Sequence, residues 1–250
     1  MNITRLSVDS TGNQGNQTST FSSPSISADG RFVVFFSDAS NLVPEDTNRS
    51  IDIFVRDTLS NTTTRVSVDS EGNQGNSLSW RPSISGDGRF VVFSSDASNL
   101  VSGDTNNSRD IFVRDTLTNT TTRFSVGSEG NQANESSFGG SISADGRVVV
   151  FESAASNLVP GDTNNTWDVF ATEIGSIPGL NTPNNNINGT LGNNILSGAI
   201  GNDIINSVEG NVAHSGEFLA SLIALLLISL VLKISFRSKV WTSPPSHPAL

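Results

Sequence analysis

A thirteen-residue segment returns three times along the chain at a fixed spacing, and it restricts the possible folds more than any other feature. The copies begin at Ser25, Ser83 and Ser141, and the Asp-Gly pair that each contains recurs every 58 residues, starting from Asp29-Gly30. A fixed period of this size is the signature of a repeat architecture. Asp-Gly between two β-prone runs predicts a hairpin, because the turn needs residues that tolerate a positive φ. Each unit is therefore expected to open with a β-hairpin.

Four strands are predicted in each unit. In the first unit they cover residues 24–27, 31–35, 52–57 and 64–68, and the nearly continuous apolar run 31–37 predicts a strand buried on both faces. Residues 4–8 repeat the text of the fourth strand ahead of the first unit, whereas the third unit lacks that text after residue 173. A four-stranded antiparallel sheet in each repeat is the blade of a β-propeller. The predicted fold class is all-β, with three four-stranded blades that form a partial propeller.

The repeated segments resemble the TolB-like, WD40-like β-propeller repeat of bacterial proteins. The matching text is Ser-x-Asp-Gly-Arg with its apolar strand, Asp-Ile-Phe-Val-Arg-Asp at 52–57 and 110–115, and Thr-Thr-Arg-x-Ser. Ser-Asp-Ala-Ser-Asn-Leu-Val at 37–43 and 95–101 matches a subgroup of that repeat, and the resemblance covers residues 4–173. It implies a binding platform. Some members of the family carry a separate catalytic domain, and none is visible in this sequence.

A second, weaker repeat follows at residues 189–215. Its three nonapeptides keep a glycine at Gly192, Gly201 and Gly210, but only Asp203 holds the aspartate position. This text resembles the haemolysin-type (RTX) calcium-binding nonapeptide in degenerate form, which implies a short parallel β-roll. With one aspartate in three, weak calcium binding or none is expected there.

The chain divides into five predicted regions. Residues 1–174 hold the propeller repeats, 175–187 a linker, 188–215 the nonapeptides, 216–238 a hydrophobic helix and 239–250 a tail. Residues 218–232 are apolar apart from two serines, and Lys233 follows. Fifteen helical residues rise about 22 Å, so a membrane span of about 30 Å needs residues up to 236. Membrane association through 218–236 is the favoured interpretation. A helix docked on the propeller and an aberrant C-terminus are the alternatives.

Composition removes several classes of function. The net charge of -10 argues against nucleic-acid binding, which needs basic patches. The chain has no cysteine and no tyrosine, and its two histidines, His214 and His247, lie outside the propeller repeats. No Ser-His-Asp or Cys-His constellation can therefore be built from the repeats. We expect a protein that is not an enzyme.

A repeated acidic loop is the candidate metal site. Calcium prefers several oxygen ligands in a flexible loop, and two carboxylates with one amide oxygen at positions 1, 3 and 7 could supply part of that set. The alternative is an Asx-turn, in which the side chains bond nearby backbone amides. The candidate calcium ligands are Asp46, Asn48 and Asp52, then Asp104, Asn106 and Asp110, then Asp162, Asn164 and Asp168, with Asp203 of the nonapeptides.

The sequence therefore predicts a non-enzymatic binding or structural propeller module of a bacterial secreted or cell-surface protein. Its ligand is an unidentified protein or glycan, and calcium is the expected cofactor. Met1 is followed by a polar run rather than by a usual signal peptide. A truncated, non-catalytic propeller portion of a larger hydrolase-type enzyme is the alternative.

Because three blades fall short of the four to eight of a closed propeller, residues 4–8 of one chain are expected to complete the third blade of another. That exchange gives a homodimer with a six-bladed ring.

Overall fold

The computed structural model describes residues 3–19 and 24–176, together with the backbone of the short segments 186–188, 194–197, 204–206 and 212–215. The chain forms two compact units, Met1–Asn181 and Thr182–Leu250. The first unit contains the 58-residue repeats.

The first unit consists of three antiparallel sheets whose strands follow one another in sequence order. Blade 1 contains β1 (Ser25–Ile26), β2 (Phe32–Ser37), β3 (Asp52–Asp57) and β4 (Thr62–Arg65). Blade 2 contains β5 (Ser79–Ile84), β6 (Phe90–Ser95), β7 (Asp110–Asp115) and β8 (Thr120–Arg123). Blade 3 contains β9 (Ser137–Ile142), β10 (Val148–Ser153) and β11 (Asp168–Glu173), followed by a 3₁₀ turn, Ile174–Ser176. The prediction of blade-like sheets is confirmed, except that the third sheet has three strands among the described residues.

The repeated Asp-Gly pair forms the predicted hairpin turn. Gly30, Gly88 and Gly146 have φ of 76°, 77° and 72°, a region that glycine enters at no steric cost. Asp29 Oδ1 accepts hydrogen bonds from Ser27 Oγ at 2.6 Å and from the Arg31 amide at 3.0 Å. The repeated aspartate therefore fixes the turn.

Two strand predictions need correction. The fourth strand of blade 1 runs over Thr62–Arg65 and not over 64–68, because the turn at 58–61 closes earlier, with Asn61 at φ 58°. Residues 3–7 form no strand, and Val8 makes only an isolated bridge to Gln14. The chain after each fourth strand instead crosses to the next blade, where Thr121 Oγ1 donates to the Val68 carbonyl at 2.6 Å.

The blades pack face to face through their apolar residues. One core cluster joins Val34, Ile53 and Val55 of blade 1 to Val91, Phe93 and Phe112 of blade 2. Strands β2 and β6 are buried over nearly their whole length, as predicted. In β11, half-buried and exposed positions alternate, and Val169 is 75% exposed. The matching residues Ile53 and Ile111 are 0% exposed, so, among the described residues, no neighbour covers the outer face of blade 3 as one covers blades 1 and 2.

The second unit shows two parallel strand pairs. β12 (Asn186–Asn188) pairs with β14 (Ile204–Asn206), and β13 (Asn194–Ser197) pairs with β15 (Val212–Ser215). The β-roll itself stays a prediction, since Gly192, Gly201, Asp203 and Gly210 lie outside the described residues. The hydrophobic segment 218–236 lies outside them as well. Within the part of the chain that is described, no helix has the length and apolar character to cross a membrane.

Candidate functional site

The three acidic loops connect the second and third strands of their blades. In blade 1 the loop ends at Asp52, the first residue of β3, and Asp46 precedes it by six positions. Asp52 and Asp110 are fully buried, whereas Asp168 of blade 3 is only half-buried. The same sequence motif therefore sits in two environments.

In blades 1 and 2 an arginine lies between the loop carboxylates. Arg65 Nη1 lies 3.3 Å from Asp46 Oδ1 and 3.6 Å from Asp52 Oδ2. Arg123 takes the same place in blade 2, at 3.4 Å from Asp104 and 3.8 Å from Asp110. These arginines end β4 and β8, and the sequence analysis did not connect them to the loops. Their signal was present, since both belong to the repeated Thr-Thr-Arg text.

Burial governs the protonation of these carboxyls. Desolvation raises the pKa of Asp110 to about 6, although a hydrogen bond from Ser125 and the charge of Arg123 act in the opposite direction. Desolvation also raises the pKa of Asp52, and there Ser67 Oγ donates to Oδ1 at 2.6 Å. Nε and Nη1 of both arginines are buried without a hydrogen-bond partner among the described residues. The guanidinium is therefore held by charge more than by directed hydrogen bonds.

The asparagine of each loop forms the Asx-turn that the sequence offered as the alternative to calcium. Asn48 Oδ1 accepts from the Ser50 amide at 3.0 Å, and Asn106 and Asn164 repeat this contact. Asn48 Nδ2 also donates to Asp52 Oδ2 and to the Gly75 carbonyl, both at 2.9 Å. No cluster of three His, Cys, Asp or Glu side chains suited to a metal occurs in the described part of the chain. Calcium binding stays a prediction.

The loop of blade 3 is open. Asn164 Nδ2 donates to Asp168 Oδ2 at 2.8 Å, but no described arginine lies near Asp162 or Asp168. A pocket of about 290 Å³ takes its place, and Val159, Thr163 and Phe170 are among the residues that line it. The third loop thus has the carboxylates of the first two without their cation.

A cluster of aromatic rings and arginines joins blades 2 and 3, and the sequence analysis missed it. The guanidinium of Arg109 lies over the Trp80 ring at 4.1 Å and over the Phe138 ring at 4.7 Å. Arg81 lies over Phe138 at 4.3 Å. Asp96 fixes the Arg109 fork, accepting from Nε at 2.9 Å and from Nη2 at 3.3 Å. We call Trp80, Arg81, Arg109 and Phe138 the aromatic–arginine cluster.

This cluster departs from the repeat. Arg109 stands where the neighbouring units have Ile51 and Trp167, and Arg81 stands where the next unit has Gly139. Arg81 has a φ of 47° and Gly139 a φ of 68°, both at bulges of the first strand of the blade. A non-glycine residue in this left-handed region costs roughly 1–2 kcal/mol. Strain of this kind clusters at functional sites, and comparison of the aligned repeats would have identified the position.

Comparisons with known proteins match the strand arrangement only distantly. No protein-family model and no curated protein matches the chain. A TolB structure from Agrobacterium tumefaciens matches 61% of this chain and 45% of its own, with 17% identity and a TM-score of 0.40. TolB from Acinetobacter baumannii matches 63% and 41%, with 16% identity and a TM-score of 0.29. The propeller domain of the Trilobed protease from Pyrococcus furiosus matches 62% and 43%, with 14% identity and a TM-score of 0.33. The chain thus spans less than half of each.

Proposed function

We propose that this chain is a non-enzymatic β-propeller module that binds a protein partner through the aromatic–arginine cluster. The observation that carries the proposal is the departure of Arg81 and Arg109 from the repeat, at one place where two blades meet. Residues that hold a blade together recur in each blade, as the Asp29 turn does. Arg81 and Arg109 do not recur, so the repeated blade structure does not require them. Arg81 is exposed and Trp80, Arg109 and Phe138 are half-buried, so a partner can reach the cluster.

The composition of the surface favours a protein partner over a sugar. Trp and Arg are the residues most enriched among the energetic hot spots of protein interfaces. Guanidinium groups lie over the Trp80 and Phe138 rings, which leaves less ring surface for a sugar to stack on. Arg81 is exposed, and the exposed Glu152 pairs directly with Phe138 across the strands. A surface with both signs of charge beside aromatic rings suits the mixed chemistry of a polypeptide.

The test is a protein, peptide and glycan array probed with the full chain and with Arg81→Gly. This variant introduces the residue of the neighbouring repeat and removes the left-handed strain, so we expect it to fold at least as stably. We expect protein or peptide ligands that bind the natural chain and lose binding to the variant. Leu117→Ala, at the exposed hairpin at the other end of blade 2, is the control that keeps binding. Ligands that bind the natural chain and Arg81→Gly equally would refute the proposed surface.

We propose a secreted or cell-surface location for this module. The acidic net charge of -10 and the resemblance of residues 189–215 to haemolysin-type repeats support it. Fractionation of cells that express the full chain with a C-terminal tag tests the location. Recovery of the chain in the cytosolic fraction alone would refute it.

A further inference from the structure

The acidic loops of blades 1 and 2 are completed by the chain segment that follows each blade. Gln74 Nε2 donates to Thr47 Oγ1 at 2.6 Å, and the Gly75 carbonyl accepts from Asn48. Blade 2 repeats both contacts, with Gln132 on Thr105 at 2.8 Å and the Ala133 carbonyl on Asn106 at 2.9 Å. The end of each fourth strand and the segment that follows it thus give the loop three groups: a guanidinium, from Arg65 or Arg123, a glutamine side chain and a backbone carbonyl.

The third loop has the receiving groups without that segment. Asp162, Thr163 and Asn164 correspond to Asp104, Thr105 and Asn106. Within the ranges that the structure describes, no arginine, glutamine or outside carbonyl reaches them. The pocket of about 290 Å³ marks the space that the segment fills in the other blades.

Residues 5–15 have the donating groups, and among the described residues they serve no acidic loop. Arg5, Gln14 and Gly15 correspond in the repeat to Arg65, Gln74 and Gly75. In this chain Arg5 Nη1 donates to Gln14 Oε1, and both side chains are exposed. The two groups that should serve an acidic loop therefore pair with each other.

The N-terminal segment already lies against blade 1 in the position of a chain that crosses to this blade from another one. Thr63 Oγ1 donates to the Val8 carbonyl at 2.6 Å, as Thr121 does to Val68, and Arg56 Nη1 donates to the Asp9 carbonyl at 3.0 Å. Residues 8–10 thus lie against blade 1 as residues 68–70 lie against blade 2. Residues 3–5 are exposed, with Ile3 at 95%, so they are available to a neighbouring molecule.

From these complementary groups we propose that residues 3–15 of a second copy of this chain bind the third acidic loop and the edge of β11. Arg5 of the second copy enters the pocket between Asp162 and Asp168. Thr4 and Arg5 then pair with Ala171 and Phe170, in the register by which Thr64 and Arg65 pair with Val55 and Phe54. Added strands satisfy the backbone groups of an open sheet edge.

The proposed docking of a second copy also explains why Val169 is exposed in a single chain. Its equivalents Ile53 and Ile111 are fully buried by the next blade, and a docked second copy would place its own first blade there. Each chain offers both halves of the contact, so two additions close a pair with six blades. That number lies within the four to eight of closed propellers.

The test measures the protein mass of the full chain by light scattering in detergent solution, because residues 218–236 are expected to associate with membranes. The buffer contains EDTA so that no metal competes for the carboxylates. We expect twice the mass of one chain. Arg5→Glu places a third negative charge in the pocket, and we expect it to yield single chains. Arg49→Glu makes the same change of charge at an exposed arginine of blade 1 and should leave the pair intact. A natural chain that stays single, or an Arg5→Glu variant that still pairs, would overturn the proposal.

A peptide of residues 1–16 provides a second measurement that does not depend on the assembly of the variant. Its fluorescence anisotropy should rise on addition of the Arg5→Glu protein, whose third loop is unoccupied. We expect the peptide that carries Arg5→Glu to lose detectable binding, and a protein that also carries Asp162→Asn and Asp168→Asn to bind the natural peptide less. Equal binding of the two peptides would overturn the proposal.

Discussion

Arg89 donates two hydrogen bonds to the carboxylate of Asp115, from Nε at 3.0 Å and from Nη2 at 2.7 Å. The pair ties the start of β6 to the end of β7. Only 9% and 5% of the two side chains are exposed, whereas the same pair in blade 1, Arg31 and Asp57, is 40% and 12% exposed. The same arginine–aspartate pair therefore occurs twice in the chain, buried in blade 2 and more exposed to solvent in blade 1.

This difference predicts unequal effects of the same substitution. Removing one partner of a buried ion pair leaves an uncompensated charge and typically costs about 3–5 kcal/mol. We expect Arg89→Ala to lower the free energy of unfolding by an amount in that range. Arg31→Ala should cost clearly less, because exposed pairs contribute little. Urea unfolding of both variants checks the order, and equal losses would contradict it.

Gly140 is a second point at which packing between blades can be tested. A Cβ atom at this position would lie 2.5 Å from Val92 Cγ1 and 3.3 Å from Ile111 Cγ2 of blade 2. Overpacking of this kind costs typically about 1–3 kcal/mol. We expect Gly140→Ala to lower the free energy of unfolding accordingly. Gly175→Ala, where a Cβ meets nothing within 4 Å, is the control. A Gly140→Ala protein as stable as the natural chain would show that blades 2 and 3 are not in close contact.

The buried loop carboxyls predict how stability depends on pH. Burial raises the pKa of Asp110 from 3.8 to about 6, so between these values the folded chain keeps a proton that the unfolded chain releases. The free energy of unfolding from this group therefore falls as pH rises through the window. We expect the fall in melting temperature between about pH 4.5 and about pH 7 to be smaller in Asp110→Asn than in the natural chain. Glu71→Gln, at an exposed carboxyl away from the acidic loops, should keep the natural profile. Identical profiles for the natural chain and Asp110→Asn would contradict the assignment.

The sequence predicted the parts of the fold that depend on local patterns. The turn at Asp29-Gly30 follows from backbone preference, and the buried strand in the run 31–37 follows from hydrophobic spacing. Both are confirmed, with β2 at Phe32–Ser37. The predicted bounds of β4 were wrong, because residues 61–64 were interpreted as the turn and the crossing 66–68 as part of the strand. The contact of Arg65 with Asp46 was missed, since it depends on the position of β4 beside the loop. Trp80 and Arg81 were missed because they do not recur in the next unit, so the repeat pattern does not mark them.

The apolar residues 218–236 lead to a prediction about membranes. We expect the full chain to remain in the pellet after carbonate extraction of membranes. Basic residues follow the segment at Lys233, Arg237 and Lys239, and an excess of such residues favours a cytoplasmic side for that end. Protease treatment of intact cells would then cleave the propeller. The matched control is a chain that ends at residue 215, which should be soluble. Release of the full chain by carbonate would exclude an integral anchor.

Calcium binding can be assigned to a particular loop by comparing the blades. In blades 1 and 2 the carboxylates already face Arg65 and Arg123, so a cation is expected to bind first at Asp162 and Asp168. A ligand that binds only the folded chain stabilises it by about 2.7 kcal/mol at a hundredfold excess over Kd. We expect millimolar calcium to raise the melting temperature relative to EDTA, and we expect Asp162→Asn to reduce this rise. A smaller rise in Asp203→Asn would instead indicate calcium binding by the nonapeptides. Since Arg5 of a second copy would occupy the same carboxylates, the rise should be larger in Arg5→Glu. A melting temperature that calcium leaves unchanged in both proteins would remove calcium from the account of this chain.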